Sequence, residues 1–151
     1  MVGGVATNTS DLHETAAVRL GALDQRYTRG RRAIVEVLAR ADAPLSIPQL
    51  LDRDRSLAQS SAYRNLAELE HAGIVHRIVT SDEFSRYELA EDLTEHHHHL
   101  ICSHCGDVRD FTVSPTLEQD LDRALARIAG AHGFAADHHR LDLVGTCATC
   151  A

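Results

Sequence analysis

Ser60-Ser61-Ala62-Tyr63-Arg64-Asn65-Leu66-Ala67-Glu68-Leu69-Glu70-His71-Ala72-Gly73-Ile74-Val75 is the stretch on which the fold turns. Ala62, Leu66 and Leu69 fall on one stripe at helical spacing, and Gly73 suits the left-handed residue that closes a helix, so a helix from Ser60 to Gly73 is predicted. Upstream, Ser46 as N-cap, Pro48 in the first turn and inward-facing Leu50 and Leu51 predict a short helix to about Arg53. Before it, Thr28 caps a helix from Arg29 to about Ala41 that buries Ile34, Val37 and Leu38 and stops before Pro44. Leu12, Ala16, Leu20 and Leu23 give an opening helix over Asp11 to Gln25, and the small, polar residues 1–10 are expected to fray. Downstream, Ile74 to Val79 and Phe84 to Leu89 read as strands about the polar turn Thr80 to Glu83. Helix, short helix, turn, helix and hairpin is the order of a winged helix-turn-helix, with the hairpin as the wing.

The acidic stretch Ala90 to Glu95 has no apolar period and reads as a hinge. Beyond it, strands at about 97–102, 107–111 and 139–144 and a helix from Ser114 or Pro115 to about Gly130 predict a small α/β unit. The expected fold class is therefore α+β. A DNA-binding domain spans residues 1–89, a hinge 90–95, and a metal-binding dimerisation domain 96–151.

Two small halves in 151 residues need a staple or a partner, because a short chain buries too little surface. No stretch approaches the roughly 20 apolar residues that cross a bilayer, and Met1 to Asp11 lacks the regions of a secretion signal. A cytoplasmic protein without a membrane partner is expected. The net charge of −7 argues against nucleic acid, but its placement does not: residues 1–77 carry +1 and residues 78–151 carry −8. All fifteen basic residues are Arg, which decides nothing about function.

The four cysteines fall as Cys102/Cys105 and Cys147/Cys150, two CxxC pairs that supply the four thiolates a structural tetrahedral zinc requires. Each pair follows a predicted strand and has a glycine beside it, Gly106 or Gly145, so the zinc would staple the last strand to the rear half. The run His96 to His99 enters a strand, whose side chains alternate; His97 and His99 face one way, His96 and His98 the other. One tract can thus feed two sites. Glu88, His76 and Asp110 are the further ligands within reach of the first pair, and Glu118, Asp122 and His139 of the second. Arg26, Arg29, Arg31 and Arg32 at the start of the second helix suit phosphate. Ser60, Ser61, Tyr63, Arg64 and Asn65 occupy the part of the recognition helix that meets base edges.

From Tyr27 to Cys150 these residues resemble the ferric-uptake-regulator superfamily. Tyr27 to Arg32 is similar to its pre-helix segment, Ser60 to Leu66 to its recognition helix, and Glu95 to Gly106 to its most diagnostic stretch; His132-Gly133-Phe134, His139 and Gly145 to Cys150 complete the match. The resemblance implies a homodimer that binds palindromic double-stranded operator DNA when a regulatory divalent metal is bound, with structural zinc on Cys102, Cys105, Cys147 and Cys150. Many relatives add a histidine from the loop before the short helix, but here that loop reads Asp42-Ala43-Pro44-Leu45. The zinc-sensing branch uses the first wing strand instead, which assigns the regulatory site to His76, Glu88, His97 and His99. That branch often adds a cysteine where this chain has Ala90. Three imidazoles and a carboxylate favour zinc, with iron, manganese and nickel open to similar sets. The third site is assigned to His96, His98, Glu118 and His139. The helix after Pro115 is about a turn longer than usual, which makes Asp122 a rival to Glu118.

A peroxide sensor of the same superfamily, with iron on His97, His99, Glu88 and Asp110, is the nearest competing reading, and a redox-switched dithiol protein is another. No enzyme with a small-molecule substrate is expected. HExxH is absent, no HxE precedes a PCxxC, and saturated thiolate ligation leaves no open position for water.

Overall fold

The computed structural model describes residues 8–151 as five helices and five strands. The helices α1 (Thr9–Gly21), α2 (Arg29–Ala39), α3 (Ile47–Arg53) and α4 (Gln59–His71) precede the hairpin β1 (Val75–Ile78) and β2 (Arg86–Leu89). A 3-10 turn, Glu91–Leu93, leads to β3 (His98–Cys102), β4 (Val108–Phe111), α5 (Pro115–Ala131) and β5 (Asp142–Gly145). Of the ten N-terminal residues expected to fray, 1–7 lie outside the described residues; Thr9 and Ser10 already belong to α1, capped by Asn8.

The local chemistry of the helix starts matches the sequence. Thr28 accepts from Arg31 N–H, Ser46 and Gln49 form a reciprocal capping box, and Ser114 accepts from Leu117 N–H ahead of Pro115. Gly73 closes α4 with φ +70, a backbone that a side chain would strain. α1 ends four residues before the expected Gln25, because Asp24 turns left-handed and Gln25 N–H returns to Leu20 C=O.

One apolar cluster unites α1 to α4 and the hairpin. Leu20, Ile34, Leu50, Leu66, Leu69 and Ile74 are fully buried in it, and Leu93 of the 3-10 turn is its last member. A bridge between Leu45 and Tyr87 lays the loop before α3 along β2. Arg31 is buried rather than presented to solvent, donating to Asn65 Oδ1, Arg26 C=O and Gln25 Oε1. It fastens the start of α2 to the recognition helix α4. Tyr27 O–H meets His13 Nδ1 at 2.6 Å and pins α1 to the same region, and burial pushes the phenol up to about 12.

The rear half is a three-stranded sheet in the order β4-β3-β5, antiparallel between β3 and β4 and parallel between β3 and β5. The parallel pair needs a crossover, and α5 lies within it. The wing tip rests on this half: Ser81 O–H donates to Ser103 C=O at 2.6 Å, and Asp82, ion-paired to Arg86, lies against Gly106. Gly106 has φ +72, and a Cβ there would come within 2.4 Å of the Asp82 carboxyl carbon.

Candidate metal centres and nucleic-acid interface

The start of β3 and the two residues before it carry the imidazole row into the gap between the two halves, and an alternation like that of a strand divides it as expected. On one face His97 Nε2 and His99 Nε2 converge on Glu88 Oε2, at 3.0 and 3.1 Å, with Asp110 carboxylate oxygens 3.9 and 3.8 Å away. Asp110 arrives there because β4 pairs it opposite His99. Glu88 comes from β2, so this cluster joins the wing to the rear sheet across residues 90–95. Ligand atoms of Glu88, His97, His99 and Asp110 all lie within 4.8 Å of one another. His76 is not among them. It pairs with Glu88 across the hairpin and meets the other carboxylate oxygen, Oε1, at 3.4 Å. Asp110, an alternative on sequence grounds, therefore takes the fourth corner of the cluster in place of His76.

On the opposite face a single carboxylate gathers three imidazoles. Glu118 Oε1 meets His96 Nε2 at 3.1 Å and His139 Nε2 at 2.9 Å, and Oε2 meets His98 Nε2 at 3.0 Å. Asp122, the rival to Glu118, stands one step further out and holds His139 Nδ1 at 3.1 Å.

In both clusters most of the nitrogens turned away from the centre are fixed. His96 Nδ1 contacts Glu91, His97 Nδ1 faces Glu95 C=O at 2.8 Å, and His99 Nδ1 meets Asp142 at 3.1 Å. With His139 on Asp122, four of the five rings have an oxygen partner behind them; His98 Nδ1 is buried without one. A hydrogen bond at one ring nitrogen selects the tautomer and aims the other nitrogen's lone pair, which is how metal-ligating histidines are supported. Sequence reasoning missed Glu91 and Asp142. Asp142 meets His99 only because β5 runs parallel to β3 in that register, and nothing in the local sequence reveals the pairing.

In the Glu88 cluster the imidazoles and the carboxylate shift one another's ionisation. Burial opposes ionisation of Glu88, but hydrogen bonds from His76, His97 and His99 outweigh it and hold the carboxyl far below the ordinary range. The hydrogen bond to Glu88 raises His97 to about 9. Burial lifts Asp110, with the neighbouring charge of Glu88 and Asp42 adding to it. Protons thus occupy positions that a divalent cation would take.

The four cysteines meet beyond the ends of β3 and β5. All are free thiols, their sulfurs lie within 4.8 Å of one another, and Cys105 Sγ is 3.8 Å from Cys147 Sγ. A tetrahedron with metal–sulfur bonds of about 2.3 Å has edges close to this spacing. Backbone N–H groups of Cys105, Cys147 and His104 bring Cys102 down to about 5, which supplies one thiolate ready-made. Its neighbours' thiols push Cys150 up to about 12. Four sulfurs cannot all stay ionised at this distance without a cation, so the donor set fits a soft divalent ion.

The recognition helix presents part of the expected reading face. Ser60, Tyr63 and Arg64 are exposed, and Ser61 bonds back to Ala58 C=O. Arg26 and Arg29 are exposed on the neighbouring helix start, and Arg32 is paired with Glu36 at 3.3 Å. Arg31 is buried and donates to Asn65 Oδ1, which is half-buried, so this pair ties the start of α2 to α4.

A profile of the Ferric uptake regulator family matches residues 22–144. The chain belongs to the ferric uptake regulator family. It is 32% identical to the ferric uptake regulation protein of Campylobacter jejuni over 139 residues, covering 88% of this chain and 83% of that protein. The peroxide operon regulator of Bacillus subtilis is 29% identical, with 83% of each chain covered. Among solved structures, the ferric uptake regulator of Helicobacter pylori, in which three functional metal binding sites are described, superposes with a TM-score of 0.71 at 25% identity over 95% of this chain and 93% of that one. As a ferric uptake regulator family member the chain is a metal-dependent transcriptional regulator with an N-terminal winged-helix head and a rear α/β half. No helix among the described residues is long and apolar enough to cross a membrane.

Proposed function

We propose that this regulator is a dimeric repressor that grips palindromic operator DNA when a divalent cation joins Glu88 of the wing to His97, His99 and Asp110 of the rear sheet. The observation carrying this reading is the convergence of two Nε2 atoms and two carboxylates from both sides of residues 90–95. A cation bound there would neutralise the clustered carboxylates and fix the wing on the rear half. Such closure favours DNA only by the difference in cation affinity between closed and open arrangements.

Two imidazoles with two carboxylates form a harder donor set than three imidazoles with one, which moves the preferred metal from zinc towards ferrous iron or manganese. Zinc belongs to the Cys102, Cys105, Cys147 and Cys150 site, where it staples the rear sheet. The cluster on His96, His98, Glu118 and His139 is a third site that braces α5 against β3. The homodimer follows from the apolar surface of the rear half, where Leu117, Ile128, Phe134, Leu143 and Val144 are exposed. The head, packed through Leu93, and the rear half 96–151 then act as separate units, in the cytoplasm and without enzymatic activity.

Operator binding titrated with buffered manganese, ferrous iron, nickel and zinc tests the reading. Manganese or iron should activate at the lowest free concentration, and His97→Ala should abolish the response while leaving a folded dimer. A response that survives His97→Ala would overturn it. Peroxide sensing is the second reading, favoured because its required set, His97, His99, Glu88 and Asp110, is the one that assembles. Gain of one oxygen on the tryptic peptide carrying His97 and His99, after ferrous iron and peroxide, would select it.

A further inference from the structure

His76 lies beside the Glu88 cluster but is occupied by another residue. Arg140, from the segment leading into β5, reaches across to β1 and lays its guanidinium along the imidazole: Nη2 is 2.6 Å from His76 Nδ1, and Nη1 contacts Nε2. A guanidinium only donates and a neutral imidazole has one lone pair, so with Nδ1–H turned to Glu88 it is Nε2, the nitrogen free to bind a cation, that Arg140 occupies. His76 Nδ1 already meets Glu88 Oε1 at 3.4 Å, so this ring stands beside a carboxylate of the cluster. Arg140 also lines the same narrow crevice as Glu88, His97 and His99. A guanidinium never loses its charge, so it both engages His76 and repels a cation arriving on that side.

Resting on the reading of this cluster as the metal-sensing site, we infer that Arg140 is a metal-specificity determinant that withholds His76 from the cation. With Arg140 in place the site offers two imidazoles and two carboxylates. Without it His76 becomes a third nitrogen ligand, and the preference moves from manganese and ferrous iron towards zinc. Arg140 touches no bound cation in this scheme; it acts through His76.

The experiment compares wild type, Arg140→Ala, His76→Ala and the double variant, each carrying one tightly held zinc per chain. Cobalt(II) serves as a spectroscopic probe, and zinc is competed against manganese at equilibrium. Arg140 is exposed, so its replacement is tolerated by the fold. Arg140→Ala should change the cobalt ligand-field bands and raise zinc affinity relative to manganese by about tenfold, the scale on which neighbouring-shell changes act. The double variant should return both to the values of His76→Ala. Identical spectra and identical zinc-to-manganese ratios in Arg140→Ala and the double variant would overturn the assignment. The spectra judge Arg140 whether or not operator binding responds to metal, so a silent operator assay counts against the regulatory reading alone.

Discussion

The two halves of the chain are built on different principles. The head, through Leu93, closes around its own apolar cluster, with seven large side chains fully buried. Behind it, Cys102 and Val108 are the only buried apolar residues among those described, and α5 buries none at all. Its apolar side chains lie on the outside, Phe134 at 68% and Val144 at 67% exposed. A half that cannot exclude water by its own packing has to be held by ligation and by a second surface. The difference teaches that the winged-helix head is a self-sufficient scaffold, whereas the rear sheet leaves its apolar surface and its clustered ligand side chains for something else to engage.

The sharpest way to break this contrast is to remove the staple. Cys102→Ser should lose the tightly held zinc and unfold the rear half, while amides of α2 and α4 keep their hydrogen-exchange protection. Equal loss of protection in both halves would erase the distinction. In the head, Leu66→Ala should cost about 2–5 kcal/mol in denaturant unfolding, the usual penalty for a cavity in a packed core. The same truncation at exposed Leu117 should cost far less in a monomer and act on self-association instead. Ile128→Asp, on the exposed face of α5, should convert dimers to monomers in sedimentation velocity without changing the near-neighbour packing of the head. Dimerisation unaffected by that charge would place the interface elsewhere.

A gentler test uses pH. His97 is raised to about 9 by its hydrogen bond to Glu88, so at neutral pH the metal-free site carries a proton that any cation must displace. Affinity of the Glu88 cluster for manganese should therefore rise as pH climbs towards 9. The metal-free protein should behave oppositely. A histidine whose folded value is raised contributes stability that is complete below about 6.5 and is lost as pH rises through about 9. Urea midpoints of the metal-free form across that window check the sign, and His97→Ala should flatten the dependence.

Much of this was legible in residue order. The caps Thr28 and Ser46, a helix start at Ser114 or Pro115, the stop at Gly73 and the alternation of His96 to His99 depend on neighbours a few positions away, and all appear where expected. An arginine near a helix start looks alike in sequence whether it faces phosphate or, as Arg31 does, a neighbouring Asn65. His76 and Asp110 were both in view, but choosing between them required knowing that Arg140 would lie on one and that β4 would carry the other opposite His99.

The sequence by itself determined the elements, the family and the ligand types, because caps, periodicity and CxxC spacing act through covalent distance along the chain. Only the tertiary structure showed that Asp110 joins Glu88, His97 and His99, which nitrogen of each ring faces inward, that Asp142 backs His99 and that Arg140 covers His76. Those are consequences of strand register and of a parallel crossover, which bring residues more than forty positions apart into contact.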